Sequence, residues 1–470
     1  MFSRYAIFCV LACIHVCAWT RAYSTQEDRS ADTGSLVCKI ETQSVLHGQP
    51  LRIRLEGTKS VGTINYQIVD RSNAVEVSGT LARAAATAEA NNVTTLLVDT
   101  TDFHPGPHRL SVRTTIRGGQ ASCGAEFSIV FPTAAIRRPE TENYQRVKLF
   151  FATDRAIGEM ADEVQEFTSE RATNSAVTLG TAEVSIPRDH RMGELERPSL
   201  LKLEFREDPE KHVVLLKASV LNKDNFLNEL QNRVNADPDR EALIFIHGYD
   251  TTFEEAARRL GQMTYDLGFP GAPILYSWPS KGALLQYTAD EATIEWVIPH
   301  FEQFLHLVAD QTEVRTIYLV AHSMGNRAVS GALKSMADKG QTLRPKLNEI
   351  VMAAPDIDAG VFQQLAAAIQ TTGGHFTIYE SSKDLALMAS HRFHGFARLG
   401  DTDPTVHVFD GYDCIEASKV DTGFLGHSYV MESGSILADM FELLKGKGPA
   451  LRPKLASLTL GGKTYWSVQP

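Results

Sequence analysis

The segment Tyr318–Asn326 constrains the fold of this chain more than any other. It reads Tyr-Leu-Val-Ala-His-Ser-Met-Gly-Asn, an apolar strand pattern that runs directly into a helical one, with Ser323 at the junction. Such a tight turn needs small residues on both sides of the serine, and Ala321 and Gly325 meet that need. The pattern predicts a nucleophile elbow, which presents a serine hydroxyl at the end of a strand. The alternative is that Ser323 only caps the following helix.

The segments around this elbow alternate between apolar strands and amphipathic helices from Glu241 onward. Strands that are continuous apolar runs are typical of a parallel sheet with helices on both faces. We therefore predict a mostly parallel sheet covered by helices, the α/β-hydrolase fold, for residues 146–445. Residues 446–470 are treated as a C-terminal tail.

Residues 33–132 have a different pattern, with short alternating segments separated by glycine, proline, asparagine and aspartate. This spacing predicts an all-β sandwich of the immunoglobulin type, although the tryptophan of antibody domains is absent from the segment. It contains no convincing catalytic constellation, so we expect a spacer or a module that binds a surface or a protein partner. A polar, proline-containing stretch at 133–145 is the predicted linker.

The first residues have the features of an export signal. Arg4 precedes an apolar run, and Thr20 and Ala22 are small residues at a potential cleavage site, so residues 1–22 are predicted to be a signal peptide. The run is shorter than the ~20 residues that span a bilayer, so we expect no stable transmembrane segment after cleavage. The expected location is periplasmic or secreted. A lipid anchor at Cys13 is the alternative, and its match to a lipobox is poor.

An exported chain enters an oxidising compartment, where disulfides persist. Signal cleavage leaves Cys38, Cys123 and Cys414. Cys38 and Cys123 fall in the first and last predicted strands of the N-terminal region, which a sandwich can bring together. We therefore predict a disulfide between them and a free, buried thiol at Cys414. The alternative is three reduced thiols that serve only as small apolar side chains.

The base that would activate the serine must be a histidine further along the chain. A serine hydroxyl becomes an effective nucleophile when a base takes its proton. In this fold the acid and then the histidine follow the serine in sequence. His427 precedes the last predicted helix and is the expected base, whereas His407 is assigned to the interior of the last strand, and His391 and His394 precede that strand.

The acid of such a triad holds the imidazole in one tautomer and stabilises its protonated form. Asp384 follows the strand two beyond the serine's strand, where this fold usually places the acid, and we choose it. Asp356 and Asp358, one strand earlier, are the alternatives. Each of these aspartates could instead serve as a helix N-cap.

Acyl transfer also needs two N–H groups directed at the negative charge that develops on the substrate oxygen. Met324 follows the serine, and Tyr249 lies in the His-Gly-Tyr-Asp loop after the first strand of the core. We predict that their backbone N–H groups form the oxyanion hole. Trp278, Tyr287 and Trp296 are candidates either for the pocket wall or for the core.

Composition and spacing exclude other classes. The formal net charge of −11 argues against a general nucleic-acid-binding protein. We find no histidine and carboxylate spacing of the kind that binds metals and no phosphate-binding glycine loop, so we expect neither a metal nor a cofactor.

Several motifs taken together resemble a family of bacterial α/β-hydrolases of undefined function. They are His247–Tyr249, Tyr276–Ser280, Asp290–Trp296, Ala321–Asn326 and Ala354–Asp358, preceded by Phe150–Arg155 and Ile186–His190. The resemblance covers roughly residues 146–445 and implies a serine hydrolase fold without naming a substrate. That family usually has asparagine after His-Gly-Tyr, where this chain has Asp250.

These features lead to one expected function and two alternatives. We expect an exported serine hydrolase that cleaves carboxylic esters through an acyl-enzyme, with a small-molecule or lipid ester as substrate. A lipase, thioesterase or peptidase would use the same residues. A binding or adhesion protein with an inactive hydrolase domain is the alternative from another class.

Overall fold

The computed structural model describes most of the chain after residue 35. The predicted signal peptide, with Cys13, lies outside the described residues. Across the described ranges, every helix is too short or too polar to traverse a lipid bilayer. The ranges are 36–40, 44–46, 51–56, 60–70, 75–81, 87–89, 93–98, 100, 103, 106–116, 119–130, 136–137, 143–173, 177–198, 206–281, 286–420 and 427–469.

The N-terminal part is built from strands in two sheets. One sheet has the order β1-β3-β7-β6, and the other has the order β2-β9-β8-β4-β5. The strands are β1 Val37–Ile40, β2 Ser44–Leu46, β3 Leu51–Glu56, β4 Ser60–Asp70, β5 Val75–Leu81, β6 Thr87–Glu89, β7 Val93–Val98, β8 Gly106–Ile116 and β9 Gly119–Val130.

The two N-terminal sheets share one hydrophobic core. Alternate residues of β3 are buried, namely Leu51, Ile53 and Leu55, and they belong to the same cluster as Leu110 and Val112 of β8. Side chains of a strand point alternately to opposite faces, so each sheet buries one apolar face. The alternation seen in the sequence therefore produces a sandwich.

A disulfide crosses this sandwich. Cys38 on β1 and Cys123 on β9 are joined, with Cα atoms 5.6 Å apart, and they link the two sheets. Cys414 lies in the other part of the molecule as a free, buried thiol. The pairing is the one that the strand positions predict.

Reduction of this disulfide should lower the melting temperature of the N-terminal domain and leave the hydrolase activity that the sequence predicts unchanged at 25 °C. The linked residues are 85 positions apart. Closing a loop of that size restricts the unfolded chain by roughly 4–5 kcal/mol in the chain-entropy treatment. Calorimetry of the wild type and of a Cys38→Ser/Cys123→Ser variant would measure the effect, with Cys414→Ser as the matched control. Mass spectrometry of the unreduced digest would contradict the pairing if it found a bridge to Cys414.

The second part of the molecule is built on one large sheet. Its strand order is β12-β13-β15-β14-β11-β17-β16-β18-β19-β20-β21-β23-β22, with β10 paired to β11. The pairs from β11·β17 to β21·β23 are parallel, which confirms the predicted mostly parallel sheet. The strands are β10 Ile136–Arg137, β11 Tyr144–Thr153, β12 Arg155–Ala161, β13 Val164–Arg171, β14 Thr178–Pro187, β15 Leu215–Leu221, β16 Glu241–Ile246, β17 Ala272–Ser277, β18 Thr316–His322, β19 Leu347–Ala353, β20 His375–Glu380, β21 Tyr412–Glu416, β22 Leu455–Leu460 and β23 Lys463–Val468.

Helices cover both faces of this sheet. In β16, Ile244 packs in a cluster with side chains of α1, α3, α4 and α5, whereas its neighbours Leu243 and Phe245 pack with side chains of α2 and α8. Burial on both faces explains the continuous apolar runs of the central strands. The helices are α1 Lys223–Asn235, α2 Phe253–Asp266, α3 Tyr287–Gln311, α4 Gly325–Asp338, α5 Ala359–Ile369, α6 Leu385–His394, α7 Tyr429–Glu432 and α8 Gly434–Leu444.

The predicted linker and the predicted C-terminal tail both contribute strands to the large sheet. Within the predicted linker at 133–145, β10 pairs with β11. Within the predicted tail at 446–470, β22 and β23 form a hairpin, and β23 lies parallel to β21. Gly461 and Gly462 make the hairpin turn with φ values of +57° and +81°. Two adjacent glycines with positive φ values give a turn that matches the twist of paired strands, so this pair is a sequence signal for a hairpin.

Candidate active site

Ser323 occupies a strained turn between β18 and α4. Its φ is +51°. This backbone conformation is unfavourable for every residue except glycine, and a serine keeps it only where the surrounding structure imposes it. The Ser323 N–H donates to the carbonyl of Ala353 at 3.0 Å. The buried Asn326 side chain donates to the carbonyls of Ser323 and Ala321, both at 3.1 Å. These bonds hold the serine in its unusual conformation.

Two glycines allow the first loop of the core to lie directly on this turn. A Cβ at Gly325 would stand 2.5 Å from the carbonyl oxygen of His247, and a Cβ at Gly248 would stand 2.7 Å from the Cβ of Ser323. Real Cβ atoms do not approach other atoms so closely. The small residues that the elbow pattern requires are therefore explained by the close approach of the loop after β16.

His427 and Asp384 are in direct contact. The Nδ1 atom of His427 lies 2.8 and 2.9 Å from the two carboxylate oxygens of Asp384, which is buried. Burial alone would lower the pKa of His427, but the charge of Asp384 and its hydrogen bond outweigh burial and raise the pKa above its usual value. The contact therefore stabilises the protonated imidazole.

His427 and Ser323 line the same cavity. Among the described atoms, neither His427 Nε2 nor Ser323 Oγ has a hydrogen-bond partner. The described contacts therefore include no hydrogen bond between the two atoms. Both remain available for one, and catalytic hydrogen bonds of this kind often form or tighten only when substrate binds.

Asp384 also caps a helix. Its Oδ1 atom accepts hydrogen bonds from the N–H groups of Ala386 and Leu387, at 3.1 and 3.0 Å, at the start of α6. The sequence analysis gave two alternatives for Asp384, the partner of His427 and a helix N-cap, and the structure shows both contacts. One carboxylate fixes both the imidazole of His427 and the first turn of α6.

Asp356, the alternative acid, has other partners. Its Oδ1 atom accepts from Arg398 Nε at 2.7 Å and from Ser390 Oγ at 2.8 Å, and its Oδ2 atom accepts from the hydroxyl of Tyr287. The described contacts include no hydrogen bond between Asp356 and His427. Burial would raise the pKa of Asp356, but Arg398 and then Arg327 keep it below its usual value. Asp356 therefore lies in the cavity wall as a paired anion.

The other residues considered for the triad are engaged elsewhere. Asp358 caps α5 through Val361 N at 2.9 Å, His391 lies 3.7 Å from Asp401, and His394 bonds Glu291 at 2.9 Å. The assignment of His407 to the last strand is wrong, because β21 begins at Tyr412. Glu380 binds both the backbone N–H and the Nδ1 of His407, at 3.1 and 3.0 Å, and thus holds this irregular segment.

The two residues predicted for the oxyanion hole flank Ser323. Met324 follows it at the start of α4 and is buried, and Tyr249 follows Gly248 and lines the cavity. Asp250 adopts a φ of +54°, which aspartate and asparagine tolerate better than most residues. Burial, Glu255 and Asp290 raise the pKa of Asp250.

A buried arginine that sequence reasoning did not assign to the site supports the loop after β16. Arg155 is 1% exposed, and its guanidinium donates to the carbonyls of Thr251 at 2.6 Å and Ser280 at 3.2 Å and to the Oγ of Ser277 at 2.9 Å. Burial lowers the pKa of Arg155 to about 9, although the negative charge of Asp290 acts in the opposite direction and raises it. The group is therefore still charged at neutral pH.

His247 and Trp278 complete this support. Burial and then Arg155 lower the pKa of His247, so its ring is neutral. Its Nδ1–H donates to the carbonyl of Gly248 at 2.8 Å, and its Nε2 accepts from the hydroxyl of Ser277 at 3.1 Å. Trp278 donates from Nε1 to the carbonyl of His247 at 2.7 Å and stacks on the ring. Arg155, His247 and Trp278 thus hold the loop that carries Tyr249 in place.

Replacing Arg155 with lysine should lower kcat by ~10²-fold and leave KM nearly unchanged. A lysine keeps the charge but cannot hold two carbonyls and a hydroxyl at once. Displacing one oxyanion donor typically costs 10²- to 10³-fold in kcat. Arg171→Lys is the matched control, since Arg171 is the cross-strand neighbour of Arg155 but bonds Thr293 at 3.1 Å and makes no described hydrogen bond to this loop. An equal loss in both variants, or a change confined to KM, would show that Arg155 does not act through the loop.

The cavity beside Ser323 has a volume of about 510 Å³. Of the aromatic residues considered for its wall, Tyr287 lines it, Trp278 supports the loop, and Trp296 packs under Arg171 with 5.1 Å between the guanidinium carbon and the ring centre. Within the described part of the chain, no cluster of His, Cys, Asp or Glu could hold a metal ion. The lining residues are Tyr249, Tyr287, Thr288, Ser323, Asp356, Ala386, Leu387, Ala389, Ser390, Phe393 and His427.

A strained serine at the end of a central parallel strand, in a sheet with helices on both faces, places this domain among the α/β-hydrolases. Residues 222–445 match the family described as "alpha/beta hydrolase of unknown function (DUF900)". The predicted resemblance to an α/β-hydrolase family of undefined function is thereby confirmed. Strands β11 to β15 and the N-terminal domain precede the matched residues.

Solved structures offer only weak likenesses. The chitinase ChiW from Paenibacillus sp. str. FPU-7 is 10% identical, with 94% of this chain and 38% of that chain covered and a TM-score of 0.19. The acylaminoacyl peptidase of Pyrococcus horikoshii is 9% identical, with 85% and 84% covered and a TM-score of 0.25. Murine CEACAM1b is 9% identical, with 32% and 90% covered and a TM-score of 0.17. This chain thus spans 38% of the chitinase's length. Scores this low carry no inference, and no curated protein matches the sequence.

Proposed function

We propose that this protein is a serine hydrolase that cleaves carboxylic esters through an acyl-enzyme, with Ser323, His427 and Asp384 as its triad. The contact between His427 Nδ1 and Asp384, at 2.8 Å, carries the proposal, because it leaves Nε2 without a partner in a histidine that lines the same cavity as Ser323. The sequence of the three residues along the chain is the one that α/β-hydrolases use.

The reaction follows from these positions. Ser323 Oγ attacks the acyl carbon while His427 Nε2 takes its proton, and Asp384 stabilises the imidazolium that forms. The N–H groups of Tyr249 and Met324 bind the oxyanion. As the tetrahedral intermediate collapses, the C–O bond to the alcohol breaks and His427 gives the proton to the leaving oxygen. His427 then takes a proton from water, the hydroxide attacks the acyl-enzyme, and the proton returns to Ser323 Oγ as the carboxylic acid leaves.

Export of the mature chain is part of the proposal. The predicted signal peptide at 1–22 supports it, and so does the Cys38–Cys123 disulfide, since such bonds persist in oxidising compartments. We propose a periplasmic or secreted enzyme that acts on small-molecule or lipid esters.

The N-terminal domain is proposed to be an immunoglobulin-like module that spaces the enzyme or binds a surface or protein partner. If β1, β3, β7 and β6 are strands A, B, E and D, the second sheet supplies G, F, C and C′ as β9, β8, β4 and β5. This correspondence supports the proposal. The disulfide joins A to G, whereas antibody domains join B to F.

Labelling with a fluorophosphonate tests the function directly. The probe should modify Ser323 in the folded protein, and the modified peptide should be found by mass spectrometry. Heat-unfolded protein is the control, because the activated serine exists only in the fold. Labelling of another serine would overturn the proposed nucleophile, and no labelling at all would favour the alternative of an inactive hydrolase domain used for binding.

A further inference from the structure

One wall of the cavity consists of the apolar face of α6. Ala386, Leu387, Ala389 and Phe393 all line it. Leu385, Ala389 and Phe393 are spaced four residues apart, so they lie along one side of the helix. Leu385 is 50% exposed and Phe393 is 67% exposed, although a surface helix normally turns its apolar side chains toward the core. Of this exposed side, Ala389 and Phe393 line the cavity, and Leu385 is not among the described lining residues.

This wall is fixed relative to the catalytic groups. Its first turn is capped by Asp384, the residue that also holds His427. Its middle is held by the bond from Ser390 Oγ to Asp356 at 2.8 Å. Its last turn is held by the bond between His394 and Glu291 at 2.9 Å. A substrate group that packs on α6 therefore has a defined position with respect to Ser323.

Aromatic side chains extend the apolar wall that α6 begins. The rings of Tyr249 and Tyr287 are 5.4 Å apart in an edge-to-face arrangement, and the ring of Tyr287 lies edge-to-face against Phe393 with 6.1 Å between the ring centres. A substrate chain that packs along this continuous wall would contact hydrocarbon. Ligand sites are usually lined in this way, with few polar groups to orient the ligand.

Three polar residues of the cavity wall, Asp356, Ser390 and Tyr287, already hydrogen-bond to one another. Asp356 accepts from Arg398, Ser390 and the hydroxyl of Tyr287, and Arg327 Nη2 donates to that hydroxyl at 2.9 Å. A polar substrate group placed here would have to replace these bonds, whereas an apolar group would displace only water. The occupied polar groups thus favour an apolar ligand.

We propose that this site takes esters with an aliphatic acyl chain and that the chain lies along α6, against Ala389, Phe393 and the ring of Tyr287 that contacts Phe393. The inference rests on the proposed ester hydrolysis and adds the substrate class. Each methylene that becomes buried should raise kcat/KM by about fourfold, until the chain fills the cavity.

Hydrolysis of p-nitrophenyl acetate, butyrate and hexanoate by the full chain tests this inference. For the wild type, kcat/KM should increase from acetate to hexanoate. Phe393→Ala should reduce the hexanoate-to-acetate ratio by ~10-fold or more, because it removes a wall that the longer chain contacts. Ala389→Phe should also lower the ratio, since it fills the path of the chain.

Phe396→Ala is the matched control. Phe396 is 65% exposed, close to the 67% of Phe393, but it is not among the described residues that line the cavity. It should leave the ratio unchanged, and melting curves should show that all variants fold. A wild-type ratio near one, or an equal change in Phe393→Ala and Phe396→Ala, overturns the acyl-chain site while acetate hydrolysis and Ser323 labelling remain. Loss of all ester hydrolysis together with absent labelling overturns the proposed function as well.

Discussion

Replacing Ser323 with alanine should lower kcat for ester hydrolysis by ~10⁴-fold or more, since the loss of a triad member has at least that effect. The hydroxyl has no hydrogen-bond partner among the described atoms, so its removal should leave the melting temperature nearly unchanged. Initial rates with p-nitrophenyl butyrate and thermal unfolding of both proteins measure the two effects.

Ser330→Ala is the matched control for this experiment. Ser330 is a buried serine on α4, and its hydroxyl likewise has no partner among the described atoms. The control should hydrolyse esters at the wild-type rate. If the activity of Ser323→Ala were within about tenfold of wild type, Ser323 would be excluded as the nucleophile. An enzyme that lacks its nucleophile keeps only the much smaller rate enhancement that substrate binding and the oxyanion hole provide.

Replacing Asp384 with asparagine should lower kcat by ~10⁴-fold, whereas Asp356→Asn should cause a much smaller loss. Asparagine keeps the shape of the side chain and is a good N-cap, so α6 should remain capped. A neutral amide cannot stabilise the imidazolium of His427 and favours the wrong tautomer. The two variants are therefore matched in chemistry and differ in which one contacts His427.

The pH profile supplies a readout that a purely structural role of Asp384 would not move. The reaction needs neutral His427, so kcat/KM falls as the pH drops through the pKa of this histidine. Asp384 raises that pKa, and its neutral replacement should shift the acid limb to lower pH. A larger loss in Asp356→Asn than in Asp384→Asn, with an unmoved acid limb in the latter, would make Asp356 the acid.

The parts of the site that depend on local signals could be predicted from sequence. The elbow at Ser323 is encoded in neighbouring residues, since an apolar strand, small flanking residues and a helix follow one another there. Asp384 and His427 could be chosen because parallel strands end at the same edge of a sheet, which brings the loops after them together. The structure brings Asp384 and His427 into contact at 2.8 Å.

The contacts that hold the loop after β16 could not be predicted in this way. Arg155 follows β11, and Ser277 ends β17, which is the parallel neighbour of β11 in the sheet. The contact between them joins residues 122 positions apart, and no local pattern encodes it. Both residues belong to motifs of the family resemblance, but a motif does not indicate which residue its members contact. The C-terminal hairpin differs, because it has a local signal: Gly461 and Gly462 adopt positive φ values at its turn, within the segment predicted as a tail.

The double role of Asp384 links substrate shape to acid–base chemistry. This carboxylate is hydrogen-bonded both to the first turn of α6 and to the imidazole of His427, so a displacement of the helix would be transmitted to His427 through this side chain. If acyl chains lie along α6 as proposed, a chain that fits should leave the carboxylate aligned, whereas a chain too bulky for the cavity should displace it. We therefore expect poor substrates to bind with ordinary KM values and to differ mainly in kcat, which would make the enzyme selective through turnover instead of affinity.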